Sequence, residues 1–296
     1  MLRGMNNPAS SYALITGATS GIGYELARLF AQNHKNVIIV ARLPEQLAAV
    51  KAELTREFAV DVRTIAADLF DPEAPGAVFA AVRDAGLVVD VLVNNAGQGE
   101  HGEFAGSDLA RQLAIVQLNV ASLVALTHHF LRDMQVRRSG RLLLLGSSYS
   151  KVPGPLMAVY AATKAFVLSF GEALRNEVKD YGVAVTVLMP GATDTDFFHK
   201  AGGVRSKIYA ESRLADPADV ARDGYAALMA GEGVVVSGFK NKVQAFMADV
   251  TPHSVIAEKA RASAEPTDRP AEEVRTHSTH APSQRERAAL EAAAVR

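Results

Sequence analysis

Short, mostly apolar runs recur along the chain, and segments with helical periodicity separate them. Runs that are apolar at successive positions are typical of strands covered on both faces. Their alternation with helices predicts an α/β fold, a doubly wound parallel sheet of about seven strands with helices on both faces. The predicted strands cover residues 12–16, 36–40, 61–67, 88–93, 142–145, 183–189 and 233–237.

This pattern predicts one α/β domain over residues 1–240 and a helical extension over residues 241–262. Residues 263–296 are predicted to be a disordered tail, because they begin with a Pro-, Thr- and Glu-rich stretch that has few large apolar side chains. Within that tail, residues 285–295 have the composition of a short helix.

A glycine-rich turn joins the first predicted strand to the first predicted helix. Such a turn aims backbone N–H groups and a helix N-terminus at a phosphate, which predicts a nucleotide-binding loop. The glycines permit a tight turn and a close approach of the ligand to the backbone. The residues assigned to this loop are Gly17, Thr19, Ser20, Gly21, Ile22 and Gly23.

Arg42 and Asp68 follow the second and third predicted strands. An acidic residue after the second strand would bind a ribose 2′-hydroxyl, whereas an arginine favours a 2′-phosphate, so Arg42 indicates NADP(H), with NAD(H) as the alternative. A solvated cation at a helix start is a competing interpretation of Arg42. Asp68 is placed to meet an adenine amino group or to cap a turn.

Ser147 follows the apolar run at 142–145, and Tyr160 and Lys164 lie four positions apart on the next predicted helix. Residues so spaced share a helix face, and a nearby ammonium is expected to lower the pKa of a phenol, so Tyr160 is a candidate general acid or base. Ser147 is a candidate hydrogen-bond donor to a carbonyl or alkoxide oxygen. An ordinary surface pair is the alternative interpretation of Tyr160 and Lys164.

Asn119 lies inside a long apolar helix predicted over residues 107–136. A buried amide needs a partner, so Asn119 either makes an interhelix hydrogen bond or holds a proton-relay water beside Lys164.

An irregular segment over residues 193–215 is predicted to be a substrate lid. Phe197 and Phe198 on this segment are candidates for one wall of a largely apolar substrate pocket, or else plain core contacts. Tyr149, Val152 and Met157, together with Ser147, are the candidates for the other wall.

The net charge of −1 argues against a nucleic-acid surface or a basic membrane-binding face. The chain has no cysteine, which excludes disulfides and thiolate metal sites, and we expect no metal site. We found no run of about 18 apolar residues and no signal-peptide pattern, and therefore expect a cytoplasmic protein without a membrane partner.

Taken together, these motifs resemble those of the short-chain dehydrogenase/reductase family over about residues 10–240. Thr16-Gly17-x-x-x-Gly21-Ile22-Gly23 resembles its cofactor turn, and Asn94-Asn95-Ala96-Gly97 resembles its sheet-bracing motif. Tyr160-x-x-x-Lys164 resembles its catalytic pair, with Ser147 at the usual spacing and Ser148 as a near alternative. Asn119 matches the fourth catalytic residue. The segment that contacts the cofactor matches at Pro190, Gly191, Thr193 and Thr195.

The resemblance implies a Rossmann-fold catalytic domain that transfers a hydride between NADP(H) and a carbonyl or secondary alcohol carbon. Tyr160 would exchange the proton, Lys164 would lower its pKa and bind ribose, and Ser147 would hold the substrate oxygen. Asn95, Ala96 and Gly97 would also contact the cofactor. Family members commonly form homodimers or homotetramers through two long helices, here over residues 107–136 and 155–181. A catalytically silent NADP(H)-binding regulatory protein is the alternative.

Overall fold

The computed structural model describes residues 11–268, and its centre is a seven-stranded parallel sheet in the order β3-β2-β1-β4-β5-β6-β7. This confirms the predicted doubly wound sheet. The strands are β1 Ser11–Thr16, β2 Asn36–Ala41, β3 Val62–Ala66, β4 Val88–Asn94, β5 Gly140–Leu145, β6 Val183–Met189 and β7 Val234–Val236.

Helices cover both faces of the sheet. On one face pack α1 Gly21–Gln32, α2 Pro44–Phe58 and α9 Pro217–Ala230. On the other pack α3 Ala74–Asp84, α4 Leu109–Val116, α5 Ser122–Arg137 and α6 Ala158–Val178. The central strands explain this arrangement, because successive side chains point to opposite faces. In β5, the side chains of Leu142 and Leu144 pack in the core on the α3–α6 face of the sheet. The side chain of Leu143 packs in the core on the opposite face, against α1, α2 and α9.

The chain order reverses between β1 and β4, which are neighbours in the sheet. In an open parallel sheet the crevice at such a point, beyond the carboxyl ends of the strands, is where ligands bind. Gly17, Asn95 and Gly146 come directly after β1, β4 and β5. The fold therefore brings the predicted glycine turn and the predicted catalytic segment to one edge of the sheet.

The helix predicted over residues 107–136 is two α-helices, α4 and α5, joined by a π-helical turn at Gln117–Ala121. Asn119 lies in that turn, so the pattern located the helix but not its interruption. Among the described residues, Leu109–Arg137 is long and apolar enough to cross a membrane by length and composition alone, with 39% of its most apolar window buried. This differs from our expectation of no such segment. Leu126, Phe130 and Met134 account for part of the apolar composition by packing into the core.

The segment after β6 carries two short helices, α7 Phe197–Lys200 and α8 Lys207–Ala210. Two further helices follow β7: α10 Phe239–Val250 and α11 His253–Ala264. His101 hydrogen-bonds through Nε2 to the carbonyl oxygen of Ala264 (2.6 Å), so the end of α11 packs against the loop after β4.

The start of the predicted disordered tail differs from expectation. Ser263 and Ala264 belong to α11, and Thr267 is buried and donates its backbone N–H to the carbonyl oxygen of Arg205 (2.8 Å). Long-range hydrogen bonds of this kind are not visible in composition, which explains the early boundary. The rest of the predicted tail, with its helix at 285–295, lies outside the described residues, and the division into three regions stays a prediction.

Candidate active site

The turn after β1 is held against the neighbouring strands. The backbone N–H of Gly17 donates to the carbonyl oxygen of Val40 at 2.8 Å. Gly23 lies on the first turn of α1, and a Cβ there would lie 2.3 Å from the carbonyl oxygen of Gly17. Only glycine permits this close packing, which fixes the position of the α1 N-terminus. The side chain of the N-cap residue Ser20 makes no capping hydrogen bond within the described structure.

The motif after β4 supports that turn. Asn95 donates from Nδ2 to the carbonyl oxygens of Thr16 (2.8 Å) and Gly17 (3.3 Å). The Thr16 hydroxyl accepts the backbone N–H groups of Asn95 and Ala96, both at 3.0 Å. Asn94 instead donates to the Thr127 hydroxyl on α5 at 2.9 Å. The predicted bracing role of this motif is therefore visible as hydrogen bonds between β1, β4 and the glycine turn.

A tight turn after β5 fixes Ser147 relative to α6. Ser147 is the N-cap of a 3₁₀ turn at Ser148–Ser150, and its backbone N–H donates to the Ser150 hydroxyl at 3.1 Å. The Ser150 hydroxyl in turn donates to the carbonyl oxygen of Lys164 at 2.8 Å. Ser150 therefore ties Ser147 to the helix that carries Tyr160 and Lys164.

Tyr160 lies in the first turn of α6 and is buried, with 9% of its surface exposed. Burial raises the pKa of its phenol above the ordinary value, while a hydrogen bond with Ser147 acts in the opposite direction. The sequence led us to expect a pKa lowered by Lys164. That expectation is wrong in direction, because desolvation outweighs the other influences. The phenol therefore carries its proton at neutral pH.

Lys164 is also buried, and its Nζ donates to the carbonyl oxygen of Leu145 at 2.7 Å. Burial lowers the pKa of this lysine to about 8, because an ammonium loses solvation in the interior. Its Nζ lies 5.7 Å from the centre of the Tyr160 ring. The two side chains share one pocket, as their four-residue spacing predicts.

Gly97 lies between Lys164 and Asn119. A Cβ at this position would lie 3.3 Å from both the Lys164 Nζ and the Asn119 Oδ1, so a side chain would fill the space between the two polar groups. Because Gly97 has no side chain, a small space remains between the Asn119 amide and the Lys164 amine.

The Asn119 amide makes three hydrogen bonds. Its Oδ1 accepts the backbone N–H of Gln98 (3.0 Å), and its Nδ2 donates to the Gln98 carbonyl oxygen (2.8 Å) and to the Thr163 hydroxyl (3.0 Å). Of the two interpretations left open, the interhelix hydrogen bond is present. A relay water held by Asn119 beside Lys164 stays a prediction.

Arg42 is exposed at the carboxyl end of β2, and its guanidinium lies 5.8 Å from the ring centre of Phe70. Arg111 lies 5.5 Å from the same ring and donates to the Gln98 Oε1 at 2.6 Å. Asp68 is exposed and accepts the backbone N–H of Phe70 at 3.2 Å, which is the turn-capping role left open for it. Two cations therefore border this part of the crevice.

Aromatic and sulfur-containing side chains surround Tyr160. Its ring centre lies 5.0 Å from that of Phe197 and 6.1 Å from that of Tyr149. Met157 and Phe197 both border Gly99, where a Cβ would lie 3.0 Å from each side chain. Phe198 is buried and packs 5.0 Å from Tyr209, so it is a core contact of the irregular segment. Val152, half-buried in the turn after Ser150, keeps its assignment as a prediction only.

The segment after β6 closes the crevice from the other side. Ser148 donates its backbone N–H to the carbonyl oxygen of Pro190 at 2.7 Å, and the Thr193 hydroxyl donates to the Gly191 carbonyl oxygen at 3.0 Å. A Cβ on Gly21 would lie 2.8 Å from the Thr195 Cγ2. The glycine turn and the segment at 190–195 therefore touch each other across the crevice.

A family model described as short chain dehydrogenase matches residues 11–203. The chain belongs to this family. Members of the family bind a nicotinamide cofactor.

Curated relatives include a very-long-chain 3-oxoacyl-CoA reductase of Coprinopsis cinerea, 35% identical over 59% of this chain and 52% of that protein. The serine 3-dehydrogenase of Agrobacterium fabrum is 36% identical over 64% of this chain and 74% of that protein. The dehydrogenase/reductase SDR family member 7B of Bos taurus is 32% identical over 74% of this chain and 70% of that protein. The chain thus spans about half the length of the 3-oxoacyl-CoA reductases that it matches.

Solved structures give the same family. A short-chain dehydrogenase from Sphingobium yanoikuyae, in complex with NADPH, has a TM-score of 0.74 at 26% identity and covers 88% of this chain and 98% of its own. A bulky-bulky ketone specific alcohol dehydrogenase from Comamonas testosteroni has a TM-score of 0.71 at 26% identity. The match covers 89% of this chain and 98% of that protein.

Several supporting residues of this family member were missed in the sequence. Ser150, Gln98 and Thr163 position Ser147 and Asn119 through hydrogen bonds that join residues 3 to 44 positions apart. Only the capping-box spacing of Ser147 and Ser150 was a visible signal. Phe70 and Arg111 meet Arg42 only because the ends of neighbouring elements converge.

Proposed function

We propose that this protein is an NADP(H)-dependent oxidoreductase that transfers a hydride between nicotinamide and the carbonyl or secondary alcohol carbon of a small to medium, largely apolar substrate. The observation that carries the proposal is the convergence of Ser147, Tyr160 and Lys164 in one buried pocket, at the edge of the sheet that also carries the glycine turn. A binding protein has no need of a buried phenol and amine in this arrangement.

The residues around the crevice suit a dinucleotide. Gly17 and Gly23 bring the backbone turn close to the N-terminus of α1, where N–H groups favour phosphate. Gly97 leaves space between Asn119 and Lys164, and that space would accept part of the cofactor. Arg42, exposed and without an acidic neighbour at Ala41, favours the 2′-phosphate of NADP(H). The NADPH complex of the Sphingobium yanoikuyae relative supports the same choice.

When bound, the nicotinamide supplies or accepts the hydride. In the direction of carbonyl reduction, Tyr160 would donate its Oη proton to the substrate's carbonyl oxygen. The raised pKa of this phenol keeps its proton in place until the reaction, and a nearby cation is needed to offset the cost of forming the phenolate. Ser147 donates a hydrogen bond to the same oxygen and stabilises the charge that develops there.

Lys164 acts on Tyr160 through charge. Its pKa of about 8 leaves it mostly protonated at neutral pH, so a cation lies beside the phenolate that forms when Tyr160 gives up its proton. Once the substrate and cofactor exclude water, this attraction strengthens. Asn119 holds the loop after β4 through Gln98, and it is also proposed to hold a relay water beside Lys164.

Tyr149, Met157 and Phe197 support an apolar substrate, since they line the approach to Tyr160. The names of the relatives, which include a 3-oxoacyl-CoA reductase and a ketone specific dehydrogenase, support a carbonyl or alcohol as the reacting group. A homodimer or homotetramer in the cytoplasm is part of the same proposal. Leu109, Leu113 and Phe166 on α4 and α6 are exposed and apolar, which supports contact with a second copy.

The proposal is tested by titrating the purified protein with NADPH and with NADH, followed by intrinsic or cofactor fluorescence. A panel of ketones and aldehydes is then added, and loss of cofactor absorbance is recorded. We expect tighter binding of NADPH and turnover of at least one carbonyl. Binding without turnover across a broad panel would favour the regulatory alternative, and absence of binding would contradict the whole assignment.

A further inference from the structure

Helix α10 presents its large apolar side chains to solvent. Phe239 is 82% exposed, Phe246 67% and Val250 64%, and Val243 and Met247 are each about half exposed. At 100° per residue these five positions fall on one side of the helix. We call them the α10 apolar face.

The opposite side of α10 packs on the protein through small or polar residues. Ala248 is buried, Ala245 is half-buried, and Asn241 lies against Gly191, where a Cβ would be 2.4 Å from the Asn241 Nδ2. A surface helix of a globular protein normally buries its large apolar residues. In α10 the orientation is reversed, so the residues that the structure describes leave the apolar face uncovered.

Positively charged side chains border the α10 apolar face. Lys240 and Lys242 are exposed and lie at its two margins, on opposite sides of the apolar stripe. Asp249, the acidic residue of the helix, is paired with Lys151 (Nζ to Oδ2, 2.7 Å). An apolar stripe with lysines along its edges matches a lipid surface, where aromatic side chains enter the acyl boundary and ammonium groups meet anionic headgroups.

We propose that the α10 apolar face is a docking surface for an anionic lipid bilayer, which the helix contacts lying parallel to the surface. This departs from the expectation of no membrane partner, which rested on net charge and on the lack of a long apolar run or signal-peptide pattern. Net charge averages over the whole chain, whereas binding depends on the two lysines beside the inserted side chains.

Docking would also place the proposed pocket near the bilayer. Lys151, which holds α10 through Asp249, lies in the segment between Ser147 and Tyr160. An apolar substrate dissolved in lipid would then have a short path to the site. This consequence rests on the proposed function, whereas lipid binding itself is tested without any turnover.

The test is flotation of the full chain with vesicles of phosphatidylcholine, with and without phosphatidylserine. We expect binding that increases with phosphatidylserine and decreases with salt. The double variant F239S/F246S should bind on the order of a hundredfold more weakly, because each buried aromatic side chain contributes about tenfold. The variant K240Q/K242Q should lose roughly fivefold per lysine on phosphatidylserine vesicles and little on pure phosphatidylcholine.

The matched control is L113S/V136S, which removes two exposed apolar side chains, 59% and 85% exposed, from α4 and α5. It should bind vesicles like the unaltered chain. Circular dichroism and NADPH titration of every variant separate loss of docking from loss of folding. The proposal is wrong if the full chain does not float with anionic vesicles, or if L113S/V136S loses binding and F239S/F246S does not. It is also wrong if light scattering shows that F239S/F246S dissociates an oligomer while vesicle binding is unchanged.

Discussion

Lys164 donates a hydrogen bond from Nζ to the backbone carbonyl oxygen of Leu145, the last residue of β5, at 2.7 Å. The bond holds the amine at the carboxyl edge of the sheet, below Tyr160 on the same helix. It does not compensate fully for lost solvation, because the pKa of Lys164 falls to about 8. The site therefore keeps its lysine at a cost in stability.

Because burial lowers the pKa of Lys164, the free energy of unfolding depends on pH. Below pH 8, Lys164 is protonated in both the folded and the unfolded states, and the full penalty applies. Between about 8 and the ordinary value of 10.5 the unfolded state binds more protons, so the free energy of unfolding rises with pH. Tyr160 opposes this above pH 10, because its raised pKa means that only the unfolded state ionises there.

Replacing Lys164 with methionine should therefore stabilise the protein near pH 7. The penalty removed is at most about 3 kcal/mol, and losing the hydrogen bond to Leu145 costs about 1 kcal/mol, so the expected net stabilisation is at most about 2 kcal/mol. The rise between pH 8 and 10 should disappear. Urea unfolding at several pH values measures both effects, with Lys179→Met, at an exposed position on the segment after α6, as the control.

Tyr160→Phe should abolish turnover and leave cofactor affinity nearly unchanged. The substitution removes the proton donor but keeps the ring that packs against Phe197. Turnover and NADPH titration are measured on the same preparation. Tyr181→Phe is the control, since it removes the phenol hydroxyl of an exposed tyrosine that has no part in the proposed proton transfer. If Tyr160→Phe instead loses cofactor binding, Tyr160 is a structural residue.

Ser147→Ala should lower kcat on the order of a hundredfold, because it removes a donor to the oxygen on which charge develops. The neighbouring Ser148→Ala should have little effect, since the fixed interaction of Ser148 is made by its backbone N–H with Pro190. Steady-state rates on one carbonyl substrate compare the two variants. A larger loss for Ser148→Ala would reassign the substrate-binding serine.

Arg42→Ala should weaken NADPH binding about tenfold and NADH binding much less, because the guanidinium is proposed to meet only the 2′-phosphate. Fluorescence titration with both cofactors gives the ratio. The control is Arg56→Ala, which removes one positive charge at an exposed position near the end of α2. Equal weakening of both cofactors by Arg42→Ala would contradict the 2′-phosphate assignment.

A second cation beside Phe70 offers a related prediction. Arg111 lies against the same ring as Arg42, but its guanidinium also donates to Gln98. Arg111→Ala should therefore reduce the affinity for both cofactors by a similar small factor, through the loop after β4. The same titrations check this, and a selective loss of NADPH would make Arg111 part of the phosphate site.

The sequence by itself determined the fold and the spacing of the main candidate residues. Strand runs that are buried on both faces, such as 183–189, have few alternatives, and β6 begins and ends where the pattern predicted. Tyr160 and Lys164 share a face because helical spacing is local. The glycine turn was visible for the same reason, since backbone conformation depends on neighbouring residues.

Only the tertiary structure decided what depends on distant contacts. The pKa of Tyr160 follows from burial among residues from several elements, so the local spacing of Lys164 gave the wrong direction. The partners of Asn119 come from a loop and a helix far along the chain. The exposure of Phe239 and Phe246 depends on which side of α10 packs against the rest of the protein. The sequence alone does not show this, because an amphipathic pattern is the same whether its apolar side faces the core or the solvent.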